Sequence, residues 1–248
     1  MNREQVFGKE SRVRLNEVNA TSGSKFIGAT FLYLALGLFV TFGVVALVGS
    51  LLNFAIFRGS VDSLETFAYI FFFALVIYIP VMIWVHVAAC RNGRTVGPAF
   101  FTYSIVMGVL LSPIALIDFW TLFIAFGTTC LAFAVMALIA WLSKKDMSSL
   151  AVIGSGLIIG ALIISLFNFI ITLITGTFNT LYWVVSFLLF VGIIILTIVD
   201  LNRVKQIANS GVATKNLALL CALNLYVDFI YIFIRVLRIV VIIAANRK

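Results

Sequence analysis

The sequence predicts an all-α, polytopic membrane protein: a bundle of seven transmembrane helices with the C-terminal helix at its centre. Two observations carry the membrane class and the span count, and the polar stripe of the last run, described below, places that helix centrally. Of 248 residues, 63% are hydrophobic and 10% charged, against about 45–50% and about 25% in an ordinary soluble domain. The charges also cluster, leaving long uncharged runs of the length a span requires, about 20 residues for roughly 30 Å of hydrocarbon.

The runs are taken in order. Residues 1–25 form a polar N-terminal segment, expected on the cytoplasmic side, and 26–248 form the transmembrane domain. The first run is Phe26 to Phe57, the second Thr66 to Cys90, the third Thr95 to Ile117 and the fourth Phe119 to Ser143. Met147 to Val199 is long enough for two spans, and turn chemistry at Thr172–Thr180, with Gly176 and Asn179, divides it. The seventh run, Leu217 to Ala245, contains Asp228, Arg235 and Arg238. None of the runs alternates as a barrel strand does. A helix satisfies its own backbone in hydrocarbon, so helices are expected throughout. The polar start and the length of the first run argue against a cleavable signal peptide.

Basic residues near span ends set the orientation. Arg3, Lys9, Arg12, Arg14, Lys25, Arg91, Arg94, Lys144, Lys145, Arg203, Lys205 and Lys215 fall on one side. Arg58, Arg247 and Lys248 fall on the other. This asymmetry predicts a cytoplasmic N-terminus and, with seven crossings, an external C-terminus; a re-entrant seventh helix would bring the C-terminus back inside. The net charge of +8 is mostly this bias. It points to anionic lipid at the cytoplasmic loops, not to nucleic acid.

Catalytic and metal chemistry is poorly provided for. His86 is the only histidine, which makes a serine triad improbable. It stands four residues before Cys90 on one helix face, but zinc needs three or four protein ligands. His86 therefore reads as a packed or pore-lining residue. Cys90, Cys130 and Cys221 lie in or at the ends of spans and read as packing residues without a disulfide framework. There is no phosphate-binding loop and no H-E-x-x-H. Gly156 and Gly160 form a G-x-x-x-G, read as close helix packing. No enzyme activity and no cofactor are expected.

Ionisable groups inside spans are functional candidates. At about 100° per residue, with Asn224 as zero, Asp228 falls near 40°, Tyr231 near −20°, Arg235 near 20°, Arg238 near −40° and Cys221 near 60°. These residues share one stripe, which is expected to face protein or water. Asp228 lies 11 residues beyond Leu217, about 16 Å into the helix. Arg235, seven residues on, is an alternative internal partner for it. Asp200, near the end of the sixth span, has a simple alternative partner in Arg203 at i+3. The sixth and seventh helices form a hairpin around Gly211, which lets Asp200 and Asp228 approach. Two carboxylates sharing one site cannot both ionise freely, giving a proton-sensitive pair, or a cation site when both are ionised.

The stretch Leu217–Ile239 resembles the C-terminal signature of the Bax inhibitor family (transmembrane BAX-inhibitor-motif proteins, including bacterial members). Leu225, Tyr226, Asp228, Phe229, Ile230, Phe233, Leu237 and Arg238 match. Val199–Lys205 is similar to the family's Y-D-x-x-x-I-K element, with Asp200 matching and Val199 in place of the tyrosine. Lys144–Leu150 and Arg91–Phe100 look like the fourth connection and the basic turn after the second helix. The likeness covers nearly the whole chain after residue 25. It implies a seven-helix bundle with the last helix central, and a pH-sensitive calcium leak gated by the pair Asp200 and Asp228. It also implies an arginine latch onto the sixth-helix aspartate, at the position of Arg91. Arg235 is an additional charge that the family signature does not require.

Two functions from different classes follow. One is a passive cation (calcium) leak gated by Asp200 and Asp228, with calcium held transiently. The other is a non-channel interaction protein acting on membrane proteases or on cell-death and stress factors, as some relatives are described. The first makes flux depend on both aspartates; the second tolerates their neutralisation. The expected location is a bacterial plasma membrane.

Overall fold

In the computed structural model, residues 3–59, 61–90, 95–143, 147–175, 181–210 and 214–246 are described. They form seven α-helices, with no strand among the described residues: α1 (Arg3–Arg58), α2 (Val61–Cys90), α3 (Val96–Leu111), α4 (Phe119–Leu142), α5 (Ser148–Thr175), α6 (Leu181–Asn209) and α7 (Lys215–Ala245). The break expected at Thr172–Thr180 falls between α5 and α6. The polar N-terminal residues from Arg3 continue the helical path of α1 rather than standing apart from it. Gly59, at φ +62°, takes the left-handed backbone that ends α1.

The third span departs from the expected single helix. α3 ends at Leu111 and tightens into a 3₁₀ turn over Ser112–Leu116, with Pro113 in its first turn. Proline has no N–H to donate and crowds the preceding turn, which favours the tightened turn here, although α2 accommodates Pro80 within its length.

Six helices are long and apolar enough to cross a membrane: Gly23–Arg58 in α1, Glu65–Ala88 in α2, Val96–Leu116, Phe119–Leu142, Ser148–Leu173 and Trp183–Asn209. The seventh helix, α7, is not among these six; its 31 residues run without interruption. It differs from the others in its intramembrane charges. It supplies six of the twelve largest fully buried side chains: Leu223, Leu225, Tyr226, Ile230, Ile232 and Phe233.

Hydroxyl groups within the spans satisfy themselves along their own helices. Thr30, Thr41, Ser104, Thr129 and Thr197 each donate to the carbonyl four residues back.

The chain forms two compact units. The first comprises Met1–Phe119 and Val204–Tyr226. Its α1 and α3 meet closely: a Cβ at Gly108 would lie 2.8 Å from the Thr41 carbonyl oxygen and 2.7 Å from the Val44 Cβ. Phe100, Tyr103 and Tyr226 fill its interior, with ring centroids of Tyr226 5.7 Å from Phe100 and 5.9 Å from Tyr103.

The second unit comprises Trp120–Arg203 and Val227–Lys248. Phe126 and Phe133 of α4 pack edge-on or tilted against Phe229 of α7 at 5.8 and 5.7 Å. Gly154 of α5 accepts the side chains of Ile195 and Leu196 of α6, at 3.0 Å from an added Cβ. By contrast, a Cβ at Gly156 or Gly160 would meet nothing within 4 Å. The expected packing role of the G-x-x-x-G is therefore overturned; Gly154 and Gly192, one on each helix, make the close approach instead.

Candidate functional site

α6 and α7 bring the two acids together in the second unit. Asp228 lies close enough to Asp200 to feel its charge, and Thr197, one turn before Asp200, stands against the Asp228 carboxyl. The Thr197 hydroxyl is fully buried and donates to the Ile193 carbonyl at 2.8 Å. The Oδ2 atom of Asp228 is buried and has no hydrogen-bond partner among the described residues. A buried polar atom without a partner is costly, and such atoms concentrate where a proton, ion or water is handled.

Asp200 has a looser environment. Arg203 Nη1 lies 3.9 Å from its Oδ1, with the arginine side chain 63% exposed and the aspartate 22%. This is the i+3 pairing anticipated for it. At that distance and exposure it is a weak interaction. It does not reach Asp228, so the deeper acid keeps its unpartnered oxygen.

Arg235 does not neutralise Asp228. Its guanidinium crosses to α6 and donates to the Ser186 hydroxyl. Arg238 stands over the Trp183 ring, 5.9 Å from its centroid. The two arginines thus line an open crevice between α6 and α7, away from the acid pair.

The polar stripe of α7 is not evenly buried. Asn224, Asp228 and Arg235 are half-buried, while Tyr231 is 44% exposed and Arg238 is exposed. The packed faces are the apolar ones, because close van der Waals contact is what joins helices in lipid. Arg91, proposed as a latch by family likeness, lies outside the described residues, as do Gly176 and Gly211.

His86 is exposed, and its Nδ1 is 2.8 Å from the Met82 carbonyl. It is therefore neither packed nor part of the α6–α7 site. No group of three or more His, Cys, Asp or Glu converges among the described residues. Cys130 and Cys221 are not joined in a disulfide; the first is exposed and the second buried.

The sequence did not single out Thr197, Ser186 or Trp183. The available signal was spacing: Thr197 lies three residues before Asp200, on the same face of α6.

Together these features define a multi-pass helical membrane protein with an acid pair inside its last helical hairpin. The chain belongs to the Bax inhibitor family: the family described as "Inhibitor of apoptosis-promoting Bax1" matches residues 23–247. Among its relatives is an uncharacterized membrane protein of Streptococcus pyogenes serotype M1, 31% identical over 198 residues, which cover 79% of this chain and 85% of that protein. A serotype M6 counterpart shows the same identity and coverage. The uncharacterized protein YrjE of Lactococcus lactis is 29% identical over 181 residues, covering 71% of this chain and 75% of its own.

Proposed function

We propose that the protein is a proton-sensitive calcium leak in which Asp200 and Asp228 form the sensor and the transient ion site. The observation that carries this reading is the buried, unpartnered Oδ2 of Asp228 beside Asp200. A carboxylate placed there without compensation is expensive, and a passing cation or a shared proton supplies the missing partner. With both acids ionised, the pair presents two negative charges to a hard divalent ion. With one shared proton the charge falls by one and the attraction weakens. Two carboxylates alone are too few for a resident calcium ion, which takes six to eight oxygens, and this suits an ion in transit.

The protein is then a conduit and not an enzyme, and it needs no cofactor; calcium is its cargo. Arg203, the basic group paired with Asp200, is exposed at the helix surface and competes weakly. The family likeness adds Arg91 as a latch whose release would couple Asp200 protonation to opening. The basic asymmetry supports a cytoplasmic N-terminus in a bacterial plasma membrane, with anionic lipid at the basic loops.

The test is calcium flux into liposomes carrying the purified protein, measured across a pH series. The leak and its pH dependence should both rely on Asp200 and Asp228. If Asp200→Asn and Asp228→Asn each leave flux and pH profile unchanged, the conduit is wrong and the interaction-protein reading takes its place.

A further inference from the structure

The arginine pair of α7 lies outside the acid site, against Ser186 and Trp183 of α6. Arg235 is seven residues and Arg238 ten residues beyond Asp228, about 10 and 15 Å farther along the helix. They therefore sit toward the end of the bundle that carries the α5–α6 connection, opposite the α6–α7 loop. Ser186 and Trp183, in the first turns of α6, meet them there. The crevice they line is open and otherwise walled by apolar side chains, among them Phe187 and Ile242. Segments 181–199 and 229–245 contain no Asp or Glu. Two guanidiniums thus rim an apolar slot at the edge of the hydrocarbon.

We propose that this crevice is a binding site for one anionic phospholipid of the leaflet at the α5–α6 end. Its phosphate would lie between Arg235 and Arg238, and an acyl chain along Phe187 and Ile242. Guanidinium is well suited to phosphate, since its planar fork donates two parallel hydrogen bonds. The apolar wall favours a lipid over free phosphate, because a soluble anion gains nothing from Phe187 or Ile242. Ser186 holds the Arg235 head toward the rim, and the Trp183 ring does the same for Arg238.

Trp183 reports on the crevice from within. In full-length protein carrying Trp84→Phe, Trp120→Phe and Trp141→Phe, it is the only tryptophan left. Reconstituted with phospholipids brominated in the acyl chain, this protein should be quenched more by brominated phosphatidylglycerol than by brominated phosphatidylcholine at equal mole fraction. One basic residue near an anionic surface is worth about fivefold in relative affinity, so Arg238→Gln should lower the preference by about that factor. Arg238→Lys should keep most of it. The Arg238→Gln variant leaves the Arg235–Ser186 bond in place, which guards against simple misfolding. Equal quenching by the two lipids, or a preference unchanged in Arg238→Gln, would overturn the proposal. So would loss of the preference on adding inorganic phosphate at constant ionic strength, which would assign the site to a soluble anion. No quenching by either lipid would mean that protein, such as a second copy of the chain, covers the crevice.

Discussion

The hydroxyls of Tyr226 and Thr41 meet at 2.6 Å in the interior of the first unit, where both residues are fully buried. Thr41 Oγ1 also lies 3.0 Å from the carbonyls of Gly37 and Ser104. A hydroxyl has one proton, which Thr41 gives to these carbonyls, so Tyr226 is the donor in the shared bond. The family's signature tyrosine thus ties α7 to α1 and, through the Ser104 carbonyl, to α3.

Tyr226→Phe should remove that one bond and leave Thr41 still satisfied. Interhelical hydrogen bonds of this kind contribute on average about 0.6 kcal/mol and at most about 1.7 kcal/mol. Thermal unfolding in detergent should show a loss within that range. Tyr226→Ala should cost several-fold more, since it also empties the space between Phe100 and Tyr103.

Glycines should separate by environment. Gly108→Ala places a methyl against the Thr41 carbonyl, a backbone atom that cannot swing aside, and should destabilise by about 1–3 kcal/mol. Gly156→Ala and Gly160→Ala meet open space and should be neutral or slightly stabilising through helix propensity. Equal losses at all three positions in the same unfolding assay would contradict the assigned helix faces.

Asp228→Asn should flatten the pH response of calcium flux, and Asp200→Asn should do the same. The two changes should not add, because either one dissolves the shared pair. Arg91→Ala should raise the leak at neutral pH if the latch inferred from the family operates. Fluorescent-dye flux in liposomes, with protein orientation determined, reads all three.

Orientation itself is open to a direct measurement. In a background lacking Cys90, Cys130 and Cys221, Gly176→Cys should react with an impermeant thiol reagent added outside intact cells. Gly211→Cys should react only after permeabilisation. The reverse pattern would invert the topology and put the arginine crevice in the inner leaflet.

Much of this was determined by the sequence alone. Helix number, approximate boundaries and membrane residence followed from uncharged runs, because a segment in hydrocarbon must satisfy its backbone by itself. The acid pair was legible for the same reason: Asp228 stands out in an apolar run, and the hairpin brings Asp200 near it. Tertiary structure alone decided which way each helix face turns. It gave Arg235 to Ser186 and not to Asp228, turned His86 outward, and moved close packing from Gly156 and Gly160 to Gly154 and Gly192. In water, periodicity shows the buried face because apolar side chains must hide. In lipid an apolar face is equally at home against lipid or protein, so rotation about the helix axis is set by shape and by a few polar contacts between helices distant in sequence.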